Sequence, residues 1–397
     1  MGPYPHRLRG RRPSRVPVLQ LRRRDADHVS DRFAFEVLRE DPSGARLGRL
    51  VTPHGAVETP AFMPVGTLGS VKGLTPRQLD EVGADIVLAN AYHLAQRPGV
   101  DTVAALGGLH ALMGWHRPIL TDSGGYQLMS LAELVRVEDE GVHYRSHVDG
   151  HAGLFRPEDA IRAQEALGVD VAMSLDECVA SGTPRERVAR AVARTTAWAA
   201  RGLAARTRGA TAVFGIVQGG FDAELRAESA AGLTALPFDG YAVGGLSVGE
   251  PVLETTRVAA AAVGPLPRAR PRYLMGVGTP GDLLRFVAMG YDLFDCVLPT
   301  RNARNGMLFT RDGKLVIRNA RHARDARPVE EGCGCYTCAR FSRGALRHLM
   351  LAGEMLGAVL STLHNLHFYL RLMREFRAAL REGTFPSRAA VACGAWA

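Results

Sequence analysis

Eight short apolar runs recur along this 397-residue chain, at 59–67, 85–90, 118–122, 170–176, 212–218, 241–246, 272–277 and 292–298. Between them lie stretches with helical spacing of their apolar residues, such as 185–207 and 222–235. Short runs of Val, Ile, Leu and Phe bounded by turn residues read as strands buried on both faces, and such strands alternating with helices build a parallel sheet. Eight βα units predict an α/β fold, the TIM barrel. A doubly wound sheet is the alternative, but the Gly-rich dinucleotide loop it carries after its first strand is absent.

Beyond the eighth run the pattern changes. Met307–Thr310 and Leu315–Arg318 flank Asp312-Gly313, a hairpin signal, and residues 343–382 have helical spacing. Between them Cys333, Cys335 and Cys338 fall within six residues. Six cysteines in a chain of this length do not make a disulfide framework, and the crowded three read as a metal site in a reducing compartment. Tetrahedral zinc needs a fourth ligand, and His348, His364 and His367 each stand on an expected helix; spacing does not choose among them. A Cys3His set leaves no open position, so the zinc is expected to be structural. The resulting division is a basic tail over 1–31, a barrel core over 32–306, a zinc-binding subdomain over 307–365 that precedes the last barrel helix, and that helix with a C-terminal tail over 366–397.

Composition narrows the picture further. Hydrophobic residues make up 46% of the chain, ample for a large core. The net charge is +9, but residues 1–31 hold eight Arg against three Asp, so more than half of that excess sits in the Arg- and Pro-rich tail, which is expected to be disordered. Overall basicity is therefore weak evidence for nucleic acid; where arginines cluster matters more. No apolar run is long enough to span a bilayer, and the VPVLQL that follows the basic N-terminus is too short for a secretory segment. A soluble cytoplasmic protein is expected.

Polar groups stand at the ends of the apolar runs: Asn90, Asp122, Asp176, Gln218, Gly244, Gly245 and Asp295. In a barrel the strand C-termini converge on one face, where active sites are built. Asp295 lies inside a run that otherwise reads as a buried strand, where a carboxylate is unusual unless paired or functional. A core ion pair with an Arg is the structural alternative. Arg301 and Arg304, three apart on the loop expected after it, are suited to hold a phosphate backbone. Two acids at the ends of different strands, Asp122 and Asp295, suit displacement at a sugar anomeric carbon, one attacking C1′ and the other managing protons.

The same segments carry a resemblance. FDCVLPTRNARNG (294–306) resembles the signature of queuine and pre-queuosine tRNA-ribosyltransferases, the tRNA-guanine transglycosylases. TDSGGYQ (121–127), SLDEC (174–178), FGIVQGG (214–220), GYAVGGLSVGEP (240–251), RYLMGVG (272–278) and the cysteine cluster match in the family's order, over residues 33 to 382. The resemblance implies exchange of the wobble guanine of GUN anticodons for the precursor preQ1, through a covalent Asp–ribose intermediate. Asp295 matches the nucleophile and Asp122 the general acid/base. Asp176, Gln218, Gly244 and Gly245 match the base-recognition set. A carboxylate accepts the two N–H groups of a guanine edge, while the Gln218 amide and the Gly245 N–H can donate to O6. Tyr126 and Met275 match the residues that sandwich the base, Ser123 and Glu250 stand beside that set, and Arg301 and Arg304 match the grip on the anticodon loop. TLHNL (362–366) resembles the family's THNL and places the fourth zinc ligand on His364.

The expected partners are thus tRNA, preQ1 and guanine, with one structural Zn2+, no energy cofactor and no membrane. Cys178 and Val248 match the bacterial type; the eukaryotic type, which takes the bulkier queuine, has a smaller residue at the Val248 position. The Leu246 carbonyl is left to accept from the aminomethyl group of preQ1. Two positions depart from the family. Val179-Ala180-Ser181-Gly182 replaces a Pro-Tyr-Pro-like loop, and Gly344-Ala345 replaces an Ala-Tyr pair that helps form a homodimer. Other readings are a retaining glycosidase on a barrel and a non-catalytic tRNA-binding paralogue, which should lack the Asp295 nucleophile. A zinc hydrolase or deaminase is disfavoured because no His-x-His follows the first strand.

Overall fold

The computed structural model describes residues 33–125, 135–145, 150–246 and 250–396. The tail expected at 1–31 lies outside these, as do the candidate site residue Tyr126 and the pair Ser247 and Val248.

All eight apolar runs contain strands: Ala61–Met63, Val87–Asn90, Ile119–Asp122, Val171–Met173, Ala212–Val217, Gly240–Val243, Arg272–Leu274 and Leu293–Asp295. They pair in parallel, the first with the eighth and then in descending order to the second. A bridge between Val65 and Leu88 joins the first strand to the second and closes the barrel. Alternation explains why the runs are apolar throughout. Met63, Leu88, Leu120, Met173, Phe214 and Ile216 fill the interior, while Phe62, Val87, Ile119, Ala172, Val213 and Val217 face the helical ring. The helices expected at 185–207 and 222–235 run over Arg185–Ala204 and Ala223–Thr234.

Two antiparallel sheets went unread. Strands Ala34–Glu40, Arg46–Thr52 and Gly55–Thr59 form one, and its Leu50 and Val57 plug the N-terminal end of the barrel interior. Strands Val135–Val137, Val142–Arg145 and Ala152–Phe155 form the other, between the third and fourth barrel strands. Strands such as Ala34–Glu40 and Val142–Arg145 have a solvated face with charged residues, which interrupts the apolar runs that betray the barrel.

Two local expectations are corrected. Arg301 and Arg304 are not on a loop: Leu298–Arg304 is a helix, opened by Pro299 in its first turn, where a missing N–H costs nothing. The hairpin pairs Met307–Thr310 with Gly313–Val316, so its turn is Arg311-Asp312, and Gly313 (φ 99°) is already in the second strand. Helices Arg343–Ala352 and Met355–Glu382 occupy the expected helical region. The second runs through the boundary placed at 365 and carries both His364 and a face packed on the barrel. Among the described residues no helix is long and apolar enough to cross a membrane.

One buried ion pair ties the first sheet to the barrel. Arg46 and Asp292 are almost fully buried and paired, and the Arg46 guanidinium also donates to the Arg268 and Arg270 carbonyls at 2.6 and 3.1 Å. Asp292 accepts the Arg272 N–H at 2.8 Å, which leaves this pair fully hydrogen-bonded. Removing one partner strands a buried charge. Arg46→Met should therefore cost about 3–5 kcal/mol. Urea unfolding at pH 7 measures it, and an unchanged midpoint would show that Asp292 needs no partner.

Candidate functional site

The C-terminal ends of the barrel strands surround a cavity of about 360 Å³. Asn90, Asp122, Ser123, Asp176, Gln218, Gly244, Gly245, Leu246, Met275, Asp295 and Arg301 all line it, so the closed barrel brings nearly the whole sequence-expected set to one place. Arg304 stands one turn beyond Arg301, half-buried, with Nη1 buried and unpartnered. Glu250 does not line the cavity. It accepts from Thr255 Oγ1 at 2.6 Å and helps to hold the charge on Arg226.

The two candidate acids have different surroundings. Asp295 Oδ1 accepts the Tyr273 hydroxyl at 2.6 Å and the Gly276 N–H at 2.7 Å. Burial raises its pKa, while those two donors oppose the shift by stabilising the anion. Asp122 is held well above the usual carboxylate range, first by burial and then by the negative fields of Asp295 and Asp176; among the described residues a hydrogen bond from Asn90 opposes them. Its Oδ1 is buried without a partner. Of the two, Asp122 is pushed further toward its protonated form. Environments that push two acids apart define an acid and a base or nucleophile.

The third carboxylate stands deeper. Asp176 Oδ2 accepts from Gln218 Nε2 at 2.6 Å, and burial raises the Asp176 pKa to about 6. Gln218 Oε1 is buried and unpartnered. One amide N–H is thus spent on Asp176, leaving the second for a ligand. Glycine permits this crowding: a Cβ on Gly125 would stand 2.1 Å from Asp176 Oδ1, and one on Gly245 (φ 68°) 2.5 Å from Gln218 Oε1.

Several supporting residues were not read from the sequence. Arg226 is fully buried beneath the site and donates to the Gly220 and Gly244 carbonyls at 2.8 and 3.0 Å. Burial pulls its pKa down to about 10. Its signal was an arginine on the apolar stripe of its helix, with Ser229, Ala230 and Leu233. Tyr273 was hidden as an ordinary strand aromatic. Glu177 is paired with Arg187 and Arg194, which neutralise a second buried acid beside Asp176.

Away from the cavity, Cys333, Cys335, Cys338 and His364 bring their ligand atoms within 4.8 Å of one another. The thiol sulfurs lie 3.9, 3.6 and 3.3 Å from His364 Nδ1. A tetrahedral ion with bonds of ~2.0–2.3 Å requires S···N separations near 3.6 Å, so this set could hold a metal ion. His364 Nε2 donates to the Phe309 carbonyl at 2.8 Å, which turns the Nδ1 lone pair toward the sulfurs. His348 is exposed, and neither it nor His367 belongs to the four-residue cluster.

A family model described as Queuine tRNA-ribosyltransferase matches residues 41–396. The queuine tRNA-ribosyltransferase of Moorella thermoacetica is 54% identical over 357 residues, 90% of this chain and 96% of that protein. Those of Desulforudis audaxviator and Thermus thermophilus are 53% and 51% identical, over 89% of this chain in each case and 95% and 92% of their own lengths.

The cluster geometry makes a direct prediction about ligands. After dialysis against a chelator, His364→Ala should retain no tightly held metal, whereas His348→Ala should retain the wild-type content by elemental analysis. Equal retention in the two variants would remove His364 from the ligand set.

Proposed function

The chain belongs to the queuine tRNA-ribosyltransferase family, and on that premise we propose that it is a tRNA-guanine transglycosylase acting on the wobble guanine of GUN anticodons. The observation that carries this reading is three buried carboxylates in one cavity with unlike surroundings: two donors on one Asp295 oxygen, the Gln218 amide on Asp176, and an unpartnered oxygen on Asp122, whose pKa is raised furthest. The free oxygen of Asp295 attacks C1′ of the flipped nucleotide, and the C1′–N9 bond breaks. Its electron pair leaves with guanine, which takes the proton held by Asp122. The incoming base then returns a proton from N9 to the Asp122 carboxylate. N9 attacks C1′, and Asp295 leaves as the free anion. Bonds and protons balance without an energy cofactor.

Asp176 is placed to accept the N1–H and N2–H of the guanine edge, and the spare amide hydrogen of Gln218 to donate to O6. Met275 supplies one stacking face; Tyr126 is assigned the other on motif alone. Arg301 at the rim and Arg304 with its unpartnered nitrogen are suited to anticodon-loop phosphates. Loop RNA costs little to unstack, which lets the base enter so enclosed a pocket.

The incoming base is preQ1. Buried Cys178 and Leu246 wall the cavity, leaving a carbonyl rather than open space for the 7-substituent. The Cys3His cluster holds one structural Zn2+, since three thiolates and an imidazole match its preferences and leave no open position. The protein works in the cytoplasm, where thiolates stay reduced. Exposed Tyr336, Leu351, Met355 and Leu356 on the metal-bearing region give a surface suited to a homodimer.

One experiment tests the main reading: incubation with unmodified tRNA and labelled guanine, preQ1 or queuine. Label from guanine and preQ1 should enter the RNA and that from queuine should not. Asp295→Asn should lose both the exchange and the covalent RNA adduct seen on denaturing gels. Turnover by Asp295→Asn would overturn its assignment, and queuine uptake would overturn the preQ1 assignment alone.

A second prediction follows from Asp176. Its pKa in the free protein is raised to about 6, and the base needs its anion. Affinity for guanine should be full above pH 6 and fall roughly tenfold for each pH unit below it. Asp176→Asn should bind weakly with a flat profile in calorimetry. A wild-type affinity unchanged between pH 5 and 7 would show that another group accepts from the base.

A further inference from the structure

The end of the barrel opposite the cavity holds a second group of ligand-type side chains. Asp170 immediately precedes the fourth barrel strand and is fully buried. His54 stands in the turn between two strands of the N-terminal sheet, and His110 on the helix Gly108–Met113. Their ligand atoms all lie within 4.8 Å of one another. His54 Nδ1 is 2.8 Å from Asp170 Oδ1, and His110 Nε2 is 3.3 Å from Oδ2. The two imidazoles stack with centroids 3.6 Å apart and planes 22° apart, so their nitrogens are presented side by side.

Hydrogen-bond logic makes this arrangement incomplete. His110 Nδ1 is 3.1 Å from the Trp115 carbonyl, which can only accept, so that nitrogen carries the proton. In the neutral ring Nε2 is then a lone pair, buried, facing a carboxylate oxygen without any aligned partner. Acceptor faces acceptor. A cation between the groups satisfies all of them. The supporting contacts are those of metal sites: His110 is oriented by a backbone carbonyl, and Asp170 Oδ2 is fixed by the Ile119 N–H at 2.9 Å.

We propose that His54, His110 and Asp170 form a second metal site, for one divalent ion of borderline type such as Zn2+ or Co2+, with water completing its coordination. Two imidazoles and one carboxylate suit such ions rather than Mg2+ or Ca2+. His54 is 38% exposed, so the ion exchanges with solvent, unlike one held in the closed thiolate cluster. The ion fastens the turn of the N-terminal sheet to the closed end of the barrel, far from the chemistry.

Cobalt is the probe. Chelator-dialysed wild-type protein, with its thiolate site still filled, should take up one further equivalent of Co2+. The uptake should show weak visible d–d absorption without the intense thiolate charge-transfer band, and the melting temperature should rise. His54→Ala changes a half-exposed turn residue and should fold. It should bind this equivalent more weakly by at least the roughly tenfold that even an outer partner is worth. His110→Gln, which keeps a donor near Trp115, should show the same loss. No added equivalent in the wild type, equal uptake by both variants, or uptake accompanied by the thiolate band would overturn the proposal.

Discussion

Three carboxylates share one desolvated cavity, and much of the surrounding structure exists to hold them there. Burial alone drives each toward its neutral form, and the fields of Asp295 and Asp176 drive Asp122 further. The outcome is set by where donors are supplied. Asp295 receives two, from Tyr273 and Gly276, on one oxygen; Asp176 receives the Gln218 amide; Asp122, among the described residues, has Asn90 to oppose burial and also carries the fields of Asp295 and Asp176, so it is pushed furthest toward its neutral form. Removing the Tyr273 hydroxyl would raise the Asp295 pKa further and change the field that Asp122 feels, so Tyr273 acts on both acids through one hydrogen bond.

That constraint explains the character of the loops. A carboxylate pressed against Gly125, and an amide against Gly245, leave no volume for side chains. Beneath them Arg226 is buried with its hydrogen bonds directed to backbone carbonyls, including that of Gly244. It fixes the peptide on which Gly245 is displayed and brings positive potential near the acids without forming an ion pair that would neutralise one of them.

The eight barrel strands were legible because both of their faces are buried, giving apolar runs with no solvent alternation. The candidate site was legible because its polar residues interrupt those runs at one consistent end. The two antiparallel sheets were not, since strands such as Ala34–Glu40 carry a solvated face and lack contrast with loops. The helix bearing Arg301 and Arg304 read as a loop because Pro299 directly follows the apolar run, where a Pro marks an end as readily as the first turn of a helix. Tyr273 and Arg226 were missed for a different reason. Their roles depend on which neighbours the closed barrel supplies, and local pattern holds no trace of that.

The thiolate cluster and the cavity are joined by one helix, Met355–Glu382. His364 enters the cluster, and the next residue, Asn365, donates to the Pro299 carbonyl at 2.9 Å and accepts the Phe309 N–H at 3.0 Å. One turn further, Tyr369 donates to the Gly278 carbonyl at 2.7 Å. Pro299 opens the helix that carries Arg301 and Arg304, and Gly278 closes the segment that begins at Tyr273. Fixing His364 therefore fixes the register of Asn365 and Tyr369 against the backbone on both sides of Asp295. A metal ion at the cluster would hold the helix that carries Arg301 and Arg304 at a set distance from Asp295. Asp122, Asp176 and their donors, by contrast, hang from strands that the cluster does not reach.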